Sequence, residues 1–417
     1  MGHDVTVLTG FPNHPTGVVP REWRARLRRL HYTETVDGVR VVRTWIWPLP
    51  NRKAHERIRN YISFCISAAI SGLPLQKPDV LIATSPQLLC ALAGWFLAWC
   101  KRVPFVFEVR DLWPESLAAV GAGAAGTLLH RALGAIAGFL YRRADLIVVV
   151  SPAFREHLTL HWKVAPGKIA VVENGVETHI FQFDEKAFEL RKELLLQDRT
   201  EDRFEDRFGN RFEDRFLICY IGTMGNAHGL ETLIAAADEL RTAFPAAMFL
   251  VIGEGAEKAR IVALATQRGL GNIRFLGQQP HERIPAYISA SDLCLVMLKK
   301  TELFKTVIPT KMLEYMACEK PVLVAVDGQA RKIIEEADAG DFVEPENSHE
   351  LVQAILRLST EIERCKQMGT NGRQYVLQNF SREQKAKDYI DLLEALLRES
   401  GNANSSAGQD KPKNQNT

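Results

Sequence analysis

The chain has 417 residues, which at roughly 150 residues per domain is enough for two or three domains. Lys and Arg total 52 against 50 Asp and Glu, and a net charge of +2 gives no reason to expect a nucleic-acid partner. With 46% hydrophobic and 24% charged residues, the composition excludes a wholly disordered, collagenous or multi-span membrane protein.

The opening MGHDVTVLTG lacks the charged start and apolar middle of a secretory signal, and its residues 5–8 read as a strand ending at Thr9-Gly10-Phe11-Pro12-Asn13. REWRARLRRL, residues 21–30, is basic with one Trp, fit for an anionic membrane surface or a lipid diphosphate, or equally a solvated helix. Strands are predicted over 39–46, 79–84, 104–109 and 145–150, with helical pattern between most of them. Two charge-free stretches, 61–76 and 85–100, fall short of the roughly 20 residues of a spanning helix and carry Pro74 and Pro86. They read as buried helices, with shallow membrane contact as the alternative. The theme then repeats with strands at 216–222, 248–253, 273–277, 292–298 and 321–326, and Leu230, Leu233, Ile234, Ala237 and Leu240 share one helix face. Continuous apolar strands alternating with helices predict parallel sheets, two doubly wound domains, and a ligand cleft between them.

The predicted order is an N-terminal domain over 1–183, a charged linker or insertion over 184–216, a C-terminal domain over 217–380, a helix over 381–399 packing back on the first domain, and a disordered tail over 400–417. The linker contains RTEDRFEDRFGNRFEDRF, a repeat of D-R-F without helix or strand period. Seven cysteines (Cys65, Cys90, Cys100, Cys219, Cys294, Cys318, Cys365) form no C-x-x-C pair. An odd count in a long chain suggests a reducing cytoplasm, and no zinc spacing exists, so no metal is expected.

Four segments could carry chemistry. In IGTMGNAHGLETL, residues 221–233, a strand, a glycine turn and a helix could aim amides at a phosphate, with Gly222 and Gly225 allowing close approach and His228 as a donor. An ordinary β-α turn would read the same. In VIPTKMLEYMACEKPVLV, residues 307–324, Thr310 is placed to cap a helix and Lys311 lies in its first turn, where it opposes the dipole unless an anion lies there. Glu314 shares that face and could accept bonds from two vicinal hydroxyls; a surface Lys311–Glu314 ion pair is the alternative. In PFVFEVRDLWPESL, residues 104–117, Glu108, Arg110, Asp111 and Glu115 gather around Trp113 at the carboxyl end of a strand, which faces the crevice in such sheets. In TGFPNHPTG, residues 9–17, Asn13 and His14 follow a strand, and His14 could be a base or only a polar contact.

With these segments, DLIVVVSPAFREHL, ENGVE and IRFLGQQPHERIPAYISASDLCLVML stand in an order that resembles the family 4 retaining glycosyltransferases, from about residue 2 to 397. Within that family the likeness is to the bacterial O-antigen and capsule enzymes, especially the L-fucosamine (FucNAc) transferase-like subgroup. The resemblance implies a GT-B fold of α/β class, with two Rossmann-like doubly wound domains facing across a cleft. It implies a UDP-sugar donor, an N-acetylated deoxyhexosamine, moved with retention to a polyprenyl-diphosphate-linked or glycan acceptor, without metal or other cofactor. The protein would lie in the cytoplasm or in peripheral contact with the inner face of the membrane.

By the same resemblance, Lys311 would neutralise the diphosphate, Glu314 would hold the ribose, and Gly222, Gly225, His228 and Thr310 would surround the phosphates. Glu254, Gly255 and Gly277 would line the base and sugar pocket. Asp111 would face the reacting centre, with Asn13, His14, Arg110, Trp113 and Glu115 on the acceptor side. The chain departs from the family pattern in four places. Thr306 stands where the first Glu of an E-x7-E motif belongs, Met224, Asn226 and His228 replace the usual cations of the phosphate turn, and Glu173 replaces a Pro. The family's first strand, loop and helix have no counterpart before Gly2-His3-Asp4-Val5, which would leave a gap or an exposed edge in the first sheet. Two competing readings are a UDP-GlcNAc 2-epimerase-type isomerase of the same fold and an inactive remnant that only binds.

Overall fold

A computed structural model describes residues 2–13, 17–49, 54–119, 127–196 and 215–406. The D-R-F repeat up to residue 214 and the tail from 407 lie outside the described residues. The chain forms two units: one holds 1–149, 154–171 and 389 onward, the other 150–153 and 172–388. The boundary thus falls at 171/172, where the sequence placed it at 183/184. The expected linker also contains a helix, Ala187–Leu196, whose Ala187, Leu190, Leu194 and Leu195 are buried, the three leucines in the core of the second unit.

The first unit carries two sheets. Strands β1 (Thr6–Gly10), β2 (His31–Val36) and β3 (Val39–Thr44) lie in the order β1-β3-β2, with β1 parallel and β2 antiparallel to β3. The polar HYTETV of β2 was not expected as a strand. It is folded back by Asp37-Gly38, whose φ angles of 49° and 81° suit a two-residue hairpin. Strands β4 (Leu81–Thr84), β5 (Phe105–Val109), β6 (Leu146–Val149) and β7 (Ile169–Val171) run parallel in chain order. Among the described residues, β1 pairs only with β3 and β4 only with β5, and Val7 and Ile82 near those open edges are exposed.

The helix Leu88–Lys101 buries Leu88, Ala91, Gly94, Leu97 and Ala98, as its charge-free sequence suggested. The helix Ala54–Gly72 does the opposite of what was expected. Asn60, Ser63, Ser67 and Ser71 are buried, while Ile58, Ile62, Ile66 and Ile70 are exposed. The cause is the chain leaving β3, whose peptide groups need partners. Ser63 Oγ accepts from the Trp47 amide, Asn60 donates to the Trp47 carbonyl, and Ser67 donates to the Trp45 carbonyl. No helix among the described residues is long and apolar enough to cross a membrane.

The second unit is one parallel sheet of β8 (Phe216–Ile221), β9 (Ala247–Ile252), β10 (Ile273–Gly277), β11 (Leu293–Met297), β12 (Val322–Ala325) and β13 (Gly340–Phe342). Its order is β10-β9-β8-β11-β12-β13. The chain therefore builds outward from β8 in one direction, then returns and builds outward from β11 in the other. That is a doubly wound sheet, and its topological switch point lies between β8 and β11. Central strands β8, β9 and β11 are buried almost throughout, as continuous apolar runs require when helices cover both faces. The last helix, Arg382–Ser406, runs past residue 400, where a disordered tail was expected.

Candidate active site

The switch point brings together segments that are far apart in sequence. The Gly222 amide donates to Ile252, the Met224 amide to Glu254, and the Gly253 amide to Gly277, so the ends of β8, β9 and β10 form one rim. The backbones meet so closely that a Cβ on Gly253 would lie 1.9 Å from the Gly222 carbonyl oxygen, and one on Gly255 would lie 2.3 Å from that of Met224. Only glycine fits there. Gly225 opens the short turn Asn226–His228, and its carbonyl accepts from the His228 amide. Gly277 adjoins Glu254, whose carboxylate is held by Lys258.

The helix Thr310–Ala317 points its start at this rim. Thr310 does not cap it: Pro309 occupies that position and no side chain bonds to the first-turn amides. Pro309 fixes the backbone but has no oxygen-bearing side chain to offer. Lys311 follows, and its Nζ is buried without a hydrogen-bond partner. It lies 4.0 Å from the centre of the Tyr220 ring and 2.8 Å from where a Cβ on Gly222 would sit. Burial depresses its pKa to about 7, against the opposing pull of Glu314. The surface ion pair with Glu314 is not formed among the described residues. Burial raises Glu314, while His281, Lys311 and Arg382 hold it back. Burial and the neighbouring Lys311 push His228 down to about 3, and its Nδ1 is also buried without a partner.

Sequence reasoning missed Tyr220, Gly253 and Lys299. Tyr220 reads as one more apolar strand residue, although its hydroxyl donates to the Thr223 carbonyl at 2.8 Å. Lys299, just beyond β11, donates to Asn226 Oδ1 at 2.6 Å and so supplies a cation beside a turn whose own sequence has none. Two departures from the family pattern have local partners: Thr306 closes its own turn by bonding to Leu303, and Glu173 pairs with Lys385 at 2.7 Å. Among the described residues no cluster of three or more His, Cys, Asp or Glu could hold a metal ion.

In the first unit, Ser85, next after β4, braces the turn after β5. Its Oγ accepts from the amides of Arg110 and Asp111 at 2.8 and 3.1 Å. Asp111 is held above the usual carboxylate range by burial, with Arg110 opposing. Glu115 accepts from Trp162 at 3.1 Å and meets His157 at 3.2 Å, leaving its second oxygen buried and unpartnered. Burial pushes that carboxyl up, but His157, the group's own backbone amide and Trp162 together outweigh it and hold the group low. Arg110 is exposed and Trp113 half-buried. The Asn13 carbonyl accepts from Gly17, and His14 lies outside the described residues.

A doubly wound sheet with an anion-ready rim at its switch point, following a second α/β unit, defines a two-domain protein of the GT-B class. Two family models match the chain: "Glycosyl transferase 4-like domain" over 1–175 and "Glycosyl transferases group 1" over 202–375. Both matched domains are glycosyltransferase domains, and the chain is a glycosyltransferase built from them. It is 27% identical over 327 residues to the protein assigned to colanic acid biosynthesis as glycosyl transferase WcaI of Escherichia coli K12, spanning 76% of this chain and 74% of that one. Among solved structures, sucrose-phosphate synthase from Thermosynechococcus elongatus superposes with a TM-score of 0.72 at 20% identity, covering 95% of this chain and 90% of that one. Anabaena HepE, solved with UDP-glucose, gives 0.68 at 16% identity, covering 94% and 100%. The models' descriptions favour the transferase over the isomerase reading.

Proposed function

We propose that this glycosyltransferase takes a sugar from a UDP-sugar, as an L-fucosamine-type transferase takes an N-acetylated deoxyhexosamine, and passes it with retention to a polyprenyl-diphosphate-linked or glycan acceptor in bacterial surface-polysaccharide synthesis. The observation that carries this is the buried, unpartnered Lys311 amine set against a glycine turn and an uncapped helix start. A diphosphate supplies what each of the three lacks, with no metal in the scheme. Glu314, one turn on, is the acceptor for ribose hydroxyls. Gly277, Glu254 and Gly255 line the base and sugar end of the same rim. The leaving diphosphate removes the acceptor proton on the face from which it departs. Asp111, held by Ser85 in the first unit, is the carboxylate assigned to stabilising cationic character in the transition state. The HepE–UDP-glucose complex supports the choice of uridine, and the WcaI relative supports the polysaccharide setting.

The test is calorimetric titration of the purified chain with UDP, GDP and ADP. UDP should bind at least about tenfold more tightly than the other two, and Glu314→Ala should weaken it by about tenfold or more and abolish transfer. Equal affinity for all three nucleotides, or normal turnover in the variant, would overturn the assignment.

A further inference from the structure

Lys311 is an odd cation. Its amine is buried with no hydrogen-bond partner, seated 4.0 Å above the centre of the Tyr220 ring. The same Tyr220 ties its hydroxyl to the Thr223 carbonyl, so one side chain supports the lysine and anchors the glycine turn beside it. The titratable groups facing the amine are Tyr220 and Cys219 on β8, His228 on the turn after β8, and Glu314 on its own helix. None of them bonds to it. A ring face attracts a desolvated cation, but less strongly than the hydration that an ammonium gives up on burial. In this seat a proton on the amine is poorly compensated until an anion arrives.

We propose that Lys311 takes up a proton when the donor's diphosphate binds, and that Tyr220 is the positioning residue that keeps the amine buried and unpaired until then. The inference rests on the nucleotide-sugar reading of this site. Burial holds Lys311 at about 7 and His228 at about 3, so the lysine is the group that titrates across the neutral range. The sign follows from linkage: the complex favours the charged amine, so binding is strongest below the free-state pKa and weakens as pH rises through it. For a free-state pKa of about 7, affinity should fall about 15-fold between about pH 7.0 and 8.5.

The experiment is calorimetry with UDP-glucose, whose diphosphate does not titrate near neutrality, in HEPES and in Tris, with UDP as a second probe of binding itself. The dependence of the heat on buffer ionisation should give uptake of about half a proton at about pH 7.0, rising toward one at about pH 8.5. Lys311→Met should bind more weakly and without uptake. Tyr220→Leu, which removes the ring beneath the amine, should change the uptake at neutral pH, and Tyr220→Phe, which keeps the ring, should retain it; unchanged uptake in Tyr220→Leu would remove Tyr220 from the positioning role. Binding with no buffer dependence would overturn the inference while leaving the nucleotide reading intact. Uptake that survives Lys311→Met and vanishes in His228→Asn would move it to the histidine. Failure of both UDP and UDP-glucose to bind would remove the nucleotide reading and the inference together.

Discussion

At the scale of single residues, the two units make different demands. Asp111 is partly buried, raised by that burial, and fixed through backbone amides that share the Ser85 hydroxyl. Asp111→Asn keeps the shape and removes the charge. Turnover should fall about 100- to 1000-fold, the loss typical of one electrostatic contact to the transition state, while UDP affinity stays within about threefold. Steady-state kinetics beside calorimetry checks this, and an unchanged rate would take Asp111 out of the site. Gly222 is constrained twice, by a φ of 146° and by the Lys311 amine 2.8 Å from its would-be Cβ. Gly222→Ala should cost about 1–3 kcal/mol in urea unfolding and weaken UDP binding, since either the backbone or the lysine must move. Lys311 and Glu314 were legible in the sequence because their signal is local, a cation in the first turn of a helix and a carboxylate one turn on. Gly253 and Tyr220 were not. Their roles arise from β8 and β9 lying side by side and from a helix some ninety residues downstream (Lys311 follows Tyr220 by 91 positions), and no local pattern records either.

At the scale of elements, continuous apolar strands announced themselves, and polar or very short ones did not. β5, β8 and β11 are continuous apolar runs and were read close to their observed bounds. β2, β7 and β13 were missed: the first alternates polar residues on an antiparallel edge, and the other two are only three residues long. Residues 61–76 read as a buried helix, but the helix Ala54–Gly72 turns the other way, because hydrophobicity alone predicts that isoleucine goes in and serine stays out. Here the peptide groups of Trp45 and Trp47 need partners, and Asn60, Ser63 and Ser67 provide them. Ser67 also bonds to Thr44 Oγ1 at 3.1 Å, deep in the unit. Ser67→Ala should therefore destabilise the protein by about 1–3 kcal/mol, the cost of leaving buried polar groups unmatched. Ile66→Ala, on the exposed row, should change stability by under about 0.5 kcal/mol. Chemical denaturation of the two variants separates these cases, and the reverse ranking would mean that the isoleucine row is covered by something in solution.

At the scale of the whole molecule, a net charge of +2 hides a strong asymmetry. Residues 21–59 carry eleven Lys and Arg against four Asp and Glu, so the remainder of the chain is net acidic. Part of this basic set is engaged within the unit: Arg26 lies 4.7 Å from both Trp23 and Tyr32, and Arg43 lies over Trp23 and pairs with Glu34. Arg57 and Arg59 stand at the start of the helix whose outer row is Ile58, Ile62, Ile66 and Ile70. Basic residues flanking an exposed apolar row suit a bilayer with anionic headgroups, where each cation near the surface contributes about 1 kcal/mol and the side chains settle into the interface. A polyprenyl-linked acceptor would be presented on such a surface. The chain should co-sediment with phosphatidylglycerol vesicles and not with phosphatidylcholine vesicles, and about 0.5 M salt should release most of it, because screening shortens the reach of surface charge. Ile62→Asp with Ile66→Asp should reduce the bound fraction about tenfold at low salt without altering UDP affinity, since the row and the Lys311 site belong to different units. Equal sedimentation with both lipids, or binding indifferent to salt, would separate the apolar row from the basic segment and leave charge without a part in the attachment.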